Sequence, residues 1–286
     1  MAIAGFPTLN DVASRIDALL APFVDARRSE LAAIDPRAIE PIDEIARLLE
    51  AGGKRLRPAF CFWGYRAAGG VEGEAIWQAS AALELLHTMA LIHDDVMDAD
   101  LERRGQPTAQ ARQIAAAVDR GQSDPALVGL GVAIVTGDLA AALAEQLFAT
   151  AAFPPDRLAA AAQRFHRMRL VLAAGTYLDL AQVDAEPGVI AFLKGGAYTV
   201  EGPLLIGSAL AGAAPHVDDV LRAYARPLGE AFQLLDDLAD GDAPGDATRA
   251  DATELVARAT AALAGDTLAP DAVQALHQLA DLVESL

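Results

Sequence analysis

The stretch that decides the fold is LELLHTMALIHDDVMDADLERRGQP, Leu83–Pro107. Its first part, Leu83–His93, is an apolar helical run. Three carboxylates follow, Asp94, Asp95 and Asp98. On a helix, Asp94 and Asp98 lie one turn apart on a single face, with Asp95 beside them. Like charges at that spacing repel by about 0.2–0.5 kcal/mol per pair. Three of them ending an apolar helix call for a counter-charge. A divalent cation supplies it through hard oxygen ligands, and Mg²⁺ keeps positions for water and for phosphate oxygens. Arg103, Arg104, Gly105 and Pro107 come next. Guanidinium forks suit phosphate oxygens, so acid, metal and arginine pair together describe a diphosphate clamp. For one such motif alone, an acidic and solvated helix end is the competing reading.

The motif recurs in GEAFQLLDDLAD, Gly229–Asp240. Asp236, Asp237 and Asp240 repeat the spacing of the first cluster on another apolar helix. In helical bundles, carboxylates on facing helices hold metal between them. Two such clusters arise by chance far less readily than one.

The 286 residues are 53% hydrophobic but only 5% aromatic, and Ala/Leu runs favour helix nearly everywhere. No composition shift or repeat marks a boundary. The chain is therefore read as one all-α domain over 1–286, a large bundle of ten or more helices with its cavity between them. Helices are expected near 9–32, 39–49, 54–67, 72–98, 108–119, 125–152 and 155–182. Glu186-Pro187 should start the helix carrying Lys194, and Pro215 should separate it from the helix carrying the second motif, with two short helices in the tail. Gly137, inside an apolar helix, is expected to serve close packing.

A net charge of −18 argues against nucleic acid and against an anionic membrane surface as partners. The N-terminus lacks the basic start and apolar core of a signal peptide. No charge-free apolar run reaches about 18 residues, so no integral membrane segment is expected and the chain is read as cytoplasmic. Cys61, the single cysteine, sits in an apolar run and is read as a core thiol. Only two of the 22 basic residues are lysines, Lys54 and Lys194. Lys54 stands in GGKRLRP, Gly52–Pro58, where a Gly-Gly turn, a helix opening at Lys54 and the cations Arg55 and Arg57 would form an anion site. An ordinary loop with basic side chains is the alternative.

GGKRLRP, LIHDDVMD followed by RRGQPT, GTYLDL, the lysine and YTVEGP of KGGAYTVEGP, and GEAFQLLDD occur in an order that resembles the trans-polyprenyl diphosphate synthases, the farnesyl and geranylgeranyl diphosphate synthase group. The resemblance covers about Ile39 to Asp240. It implies an all-α isoprenoid-synthase fold, a homodimer, Mg²⁺, and condensation of an allylic diphosphate with isopentenyl diphosphate. It also implies roles for residues. Asp94, Asp98 and Asp236 would ligate Mg²⁺ on the allylic diphosphate, and Asp95, Asp237 and Asp240 would complete the two clusters. Arg103 and Lys194 would hold the same diphosphate. Lys54, Arg57, His87 and Arg104 would hold isopentenyl diphosphate. Gln233 and Asp179 would support the metal-side pocket, which Phe232 and Tyr198 would line. Metal and cations would let the allylic C–O bond ionise, and an apolar cavity would keep water from the cation.

The chain departs from that family pattern in three places. Thr176 stands where many members have Gln, and Gly195-Gly196 where Thr or Ser usually follows the lysine. The segment after the second motif is short, with Arg249 its only basic residue, so Arg249 is a candidate to replace the family's loop lysines. Two rival readings stand beside the synthase: a noncatalytic subunit of a heteromeric enzyme, and a class I terpene cyclase. Both acidic motifs are intact, which opposes the first. Asp240 and Pro244 stand where the cyclase's second metal motif needs Ser and Glu, which opposes the other. Product length should be set one and two turns before Asp94, at Ala90 and Met89 and then Leu86. A small residue and a flexible thioether at the first two positions imply a geranylgeranyl-length product or somewhat longer.

Overall fold

The computed structural model describes residues 9–103, 105–182, 188–241, 245 and 247–286, without the side chains of Ala191 and Asp240. Helices carry nearly all of its regular structure. In order they are α1 (Leu9–Ile34), a 3-10 turn (Pro36–Ile39), α2 (Glu40–Glu50), α3 (Leu56–Ala67), α4 (Glu74–Met97), α5 (Ala109–Asp119), α6 (Pro125–Ala149), α7 (Pro155–Leu180), α8 (Val189–Ala191), a π-helix (Phe192–Glu201), α9 (Gly202–Ala211), α10 (Pro215–Asp240), α11 (Arg249–Ala261) and α12 (Pro270–Glu284). One exception to the all-α expectation is a hairpin between α4 and α5. Its strands β1 (Glu102–Arg103) and β2 (Gln106–Pro107) pair antiparallel, Glu102 opposite Pro107 and Arg103 opposite Gln106.

Local chemistry explains where the helices start and stop. The Thr108 hydroxyl accepts from the amide of Ala111 at 3.2 Å and caps α5. The Asp124 carboxylate does the same for α6 through Leu127 at 3.1 Å, with Pro125 in the first turn. Gly212 and Gly241 end α9 and α10 in the left-handed conformation. Two expectations need correction. Lys54 does not open α3, which begins at Leu56, because Arg55 takes a left-handed backbone, φ 49°. The segment carrying Lys194 is a π-helix over most of its length. The helix start expected at Glu186-Pro187 lies outside the described residues.

The chain divides into two compact units. One comprises Asn10–Arg55 and Trp77–Thr150. Here α1 buries Val12, Ile16, Leu20 and Val24, one residue per turn on a single stripe. Arg28 joins α1 to Asp43 of α2 at 2.6 Å, and Arg27 joins it to Gln146 of α6 at 3.1 Å. Gly137 of α6 serves close packing as expected: a Cβ there would lie 2.1 Å from the His93 ring of α4.

The other unit is built mainly from Leu56–Ile76 and Ala151–Leu286. Its centre is α9, buried from Pro203 to Leu210. Helix α3 lies against it with backbones nearly touching. A Cβ on Gly64 would meet the Leu204 carbonyl at 2.2 Å, and one on Gly207 would meet the Cys61 carbonyl at 2.0 Å. Cys61 is fully buried, as expected. From α7, Arg164 donates to the Leu205 carbonyl, to Ser208 and to Asp218 of α10. The Tyr224 hydroxyl of α10 donates to the Leu276 carbonyl of α12 at 2.7 Å.

Two helices, α4 and α6, are long and apolar enough to cross a membrane by length and composition. In α4, 72% of the apolar window is buried; in α6 only 39% is, at a mean hydropathy of 2.0. Each window tolerates the isolated charges that break a charge-free run.

Candidate active site

The first aspartate motif occupies the last turn of α4. Asp98 lies one residue past the helix and still donates its amide to the Asp94 carbonyl at 2.9 Å. Ala99, left-handed at φ 56°, then ends the run. Asp94 is half-buried and Asp98 exposed. Asp95 is 2% exposed, and its Oδ1 accepts from Arg103 Nε at 2.7 Å. Burial pushes the Asp95 carboxyl above the usual carboxylate range, Arg103 pulls it back, and the charges of Asp100 and Asp98 push it up again. The hairpin therefore returns a cation to the carboxylate that most needs one. Arg104 lies outside the described residues.

The GGKRLRP segment is pinned by its second cation. Arg55 is 4% exposed. Its guanidinium donates to Glu84 at 2.7 Å, to Asp17 at 2.8 Å and to the Leu49 carbonyl at 2.6 Å. Lys54, beside it, is exposed. The sequence reading gave Arg55 no role beyond the cationic cluster. The signal that could have found it was Glu84, a carboxylate inside an apolar helix, which must meet a cation to be buried. His87, one turn further along α4, is half-buried.

In the other unit, Arg57 and Tyr198 come together, although the resemblance assigns them to different substrates. The guanidinium lies 4.4 Å from the centre of the Tyr198 ring and donates to Thr199 Oγ1 at 2.8 Å. Lys194 Nζ donates to Asp179 at 2.6 Å. Both side chains are substantially exposed, so the pair is worth little in water. On α10, Asp236 is exposed, while Phe232 and Gln233 are half-buried. Gln233 Nε2 donates to Asp237 Oδ1 at 2.7 Å. The side chain of Asp240 lies outside the described residues.

The π-helix and α10 touch through glycine. A Cβ on Gly196 would lie 2.8 Å from the backbone carbon of Gly229, and one on Gly195 only 1.9 Å from Gln233 Oε1. The glycine pair that departs from the family pattern thus has a steric reason. Residue 196 faces backbone, and residue 195 faces the amide that holds Asp237.

Residues 40–252 match the polyprenyl synthetase family model. The chain belongs to that family. A geranylgeranyl diphosphate synthase from Cyanophora paradoxa is 35% identical over 69% of this chain and 64% of its own length. One from Sulfolobus acidocaldarius is 31% identical over 67% of this chain and 55% of its own. The chain thus spans somewhat over half the length of these relatives. A geranylgeranyl pyrophosphate synthase from Corynebacterium glutamicum, solved with isoprenyl diphosphate and magnesium, superposes with a TM-score of 0.87 at 24% identity, over 97% of this chain and 99% of that one. That likeness fixes the fold as the all-α isoprenyl synthase type.

Three family expectations can be placed on this geometry. For the metal, the donor chemistry fits: each aspartate motif offers only hard carboxylate oxygens, as Mg²⁺ prefers. Among the described residues, no three His, Cys, Asp or Glu side chains converge as a metal cluster. For chain length, Leu86 and Ala90 are buried and Met89 is half-buried. Leu86, Ala90 and Asp94 follow one another at four-residue spacing, so they share one stripe of α4. Arg249, the candidate substitute for the missing lysines, donates from its Nη1 to the Glu284 carbonyl at the end of α12, 2.9 Å away in an exposed bond. A cation at a helix C-terminus is in a favourable field.

Proposed function

We propose that the protein is a Mg²⁺-dependent prenyltransferase that joins an allylic diphosphate to isopentenyl diphosphate, giving a trans-polyprenyl diphosphate of geranylgeranyl length or somewhat longer. The carrying observation is the buried Asp95 clasped by Arg103 at the end of an apolar helix, in a chain matched to the family over residues 40–252. The relatives named above, two similar in sequence and one in fold, are geranylgeranyl diphosphate synthases.

Asp94, Asp98 and Asp236 would hold Mg²⁺, which neutralises the leaving diphosphate when bound. Arg103 and Lys194 bind that diphosphate, Lys194 exchanging an exposed carboxylate partner for phosphate oxygens. Gln233 orients Asp237. Lys54, Arg57, His87 and Arg104 take isopentenyl diphosphate, and Asp179 and Tyr198 steady Lys194 and Arg57. Leu86 and Ala90, with Met89, line the path of the growing chain and keep water away from the allylic cation.

The same reading includes a homodimer. Helix α6 leaves Leu127, Ile134 and Val135 exposed on one side, and α5 adds Val118. On its other side α6 carries the buried residues Ala133, Ala140 and Ala144. A helix apolar on its outer side and packed on its inner side suits a second copy of this chain better than a bilayer.

The test is incorporation of radiolabelled isopentenyl diphosphate by the purified protein, with farnesyl diphosphate and Mg²⁺. Elongated product is expected. Diphosphate release without elongation would favour the cyclase, and no turnover the noncatalytic subunit.

A further inference from the structure

The hairpin that carries Arg103 has two residues in each strand. A hairpin of that size is not stable in isolation, so its position is imposed by what it touches. On the β1 side, Arg103 reaches Asp95. At the β2 end, Thr108 donates its amide to the Leu101 carbonyl at 3.1 Å and its hydroxyl to the Asp100 carbonyl at 3.0 Å. The Thr108 bonds close the loop on itself, and Arg103 ties it back to α4. None of them ties it to α2.

Arg112, on α5, makes that tie. Its Nη1 donates to the carbonyl of Pro107, the last residue of β2. The remaining nitrogens of the same fork grip α2: Nε lies 2.7 Å and Nη2 2.6 Å from Glu44 Oε2. Glu44 is 1% exposed, and its other oxygen accepts from Arg47 at 2.7 Å. A buried carboxylate gripped from both sides is a fixed anchor. One planar guanidinium therefore spans from α2 to the hairpin.

We infer that Arg112 is a positioning residue for the diphosphate clamp, setting through the Pro107 carbonyl where Arg103 is presented. The inference rests on the proposed role of Arg103. Lysine cannot replace Arg112, because a single ammonium at the end of a flexible stem lacks the fork that meets both partners. Glu44 acts one step further back, by aiming Arg112.

The experiment is a double-mutant cycle read by steady-state kinetics with farnesyl diphosphate and isopentenyl diphosphate. Arg112→Ala should raise KM for farnesyl diphosphate about tenfold while moving KM for isopentenyl diphosphate less than about twofold, since a misplaced binding group costs affinity where it binds. Arg112→Lys keeps a charge against Glu44, so it should retain the melting temperature and still show the KM rise. The Arg103→Ala/Arg112→Ala double variant should be no worse than Arg103→Ala alone. Wild-type KM in Arg112→Lys, or additive losses in the cycle, overturns the inference while leaving Arg103 in place. Wild-type KM in Arg103→Ala overturns the clamp reading itself, and this inference with it.

Discussion

Gly195→Ala adds one methyl group where the π-helix meets α10, and its effect follows from two distances. The new Cβ would lie 1.9 Å from Gln233 Oε1 and 3.0 Å from its Cδ. Carbon–oxygen contact is comfortable from about 3.4 Å, so the amide oxygen must retreat by roughly 1.5 Å. The obstacle is a side-chain end, which can turn away, so the fold should survive. Turning costs the bond from Gln233 Nε2 to Asp237, now 2.7 Å. A hydrogen bond to a charged group is worth about 1.5–3 kcal/mol. If Asp237 must be oriented in the transition state, kcat should fall about ten- to a hundredfold. Gly196→Ala is the contrast, since its Cβ would meet the Gly229 backbone at 2.8 Å. Backbone cannot turn away, so that variant should lose about 1–3 kcal/mol of stability or more. The assays are isopentenyl incorporation and thermal unfolding, run on both variants beside Gln233→Ala. Full turnover by Gly195→Ala at saturating substrates, with Gln233→Ala impaired, would refute the reasoning, because the amide would then tolerate displacement.

Four further outcomes are expected. Asp94→Ala or Asp236→Ala should each cut kcat by several orders of magnitude with the helical circular dichroism unchanged, since lost metal ligation forfeits several kcal/mol; near-normal rates at saturating Mg²⁺ would remove them from the metal site. Lys54→Ala should raise KM for isopentenyl diphosphate and Lys194→Ala that for the allylic substrate; equal effects on both substrates in each variant would dissolve the separation. Ala90→Phe and Met89→Phe should shorten the product, read by chromatography of the dephosphorylated prenols, and an unchanged distribution in both would move the tunnel off this stripe of α4. Burial alone would raise the Asp218 carboxyl, yet bonds from Arg164 and Ser208 and the fields of Arg164 and Arg222 hold it below the usual range. Its contribution is therefore present above the unfolded value near 3.9 and is lost as pH falls through the lower folded value. Asp218→Asn should cost about 2 kcal/mol at neutral pH, a gap from wild type that closes below about pH 4; a gap independent of pH would mean packing, not charge, is at stake.

The helices were legible in the sequence because their ends are local chemistry. Asp124 and Thr108 each fix a start through an amide three residues on, and Pro215 stands in the first turn of α10. The aspartate motifs were legible for the same reason, as spacing on one helix. The hairpin was not, because two strands of two residues have no periodicity to read. Lys54 was misplaced by two residues because nothing in GGKRL signals that Arg55 will leave the helical region. The partners its side chain meets there, Asp17 and Glu84, are 38 and 29 residues away.

The site shows the same division between residue type and partner. Glu84 stands among apolar neighbours, so the sequence shows that it needs a cation but not which one, while Glu44, beside Asp43 in α2, reads as an ordinary surface carboxylate although it is buried. For Glu44 one cation is close by, Arg47, and the other, Arg112, is 68 residues on. Arg57 meets Thr199 across 142 residues. Motif residues announce themselves because the ligand's chemistry selects their type: carboxylate for metal, guanidinium for phosphate. Residues that aim them answer to a partner elsewhere in the fold, and many types would serve if the partner changed too. Arg55, Gly195 and Arg112 are of this second kind. Substituting them alone should displace a neighbouring group instead of removing a ligand, so their losses should depend on whether that neighbour is present. The residues proposed to hold metal and phosphate should instead lose function whatever stands beside them.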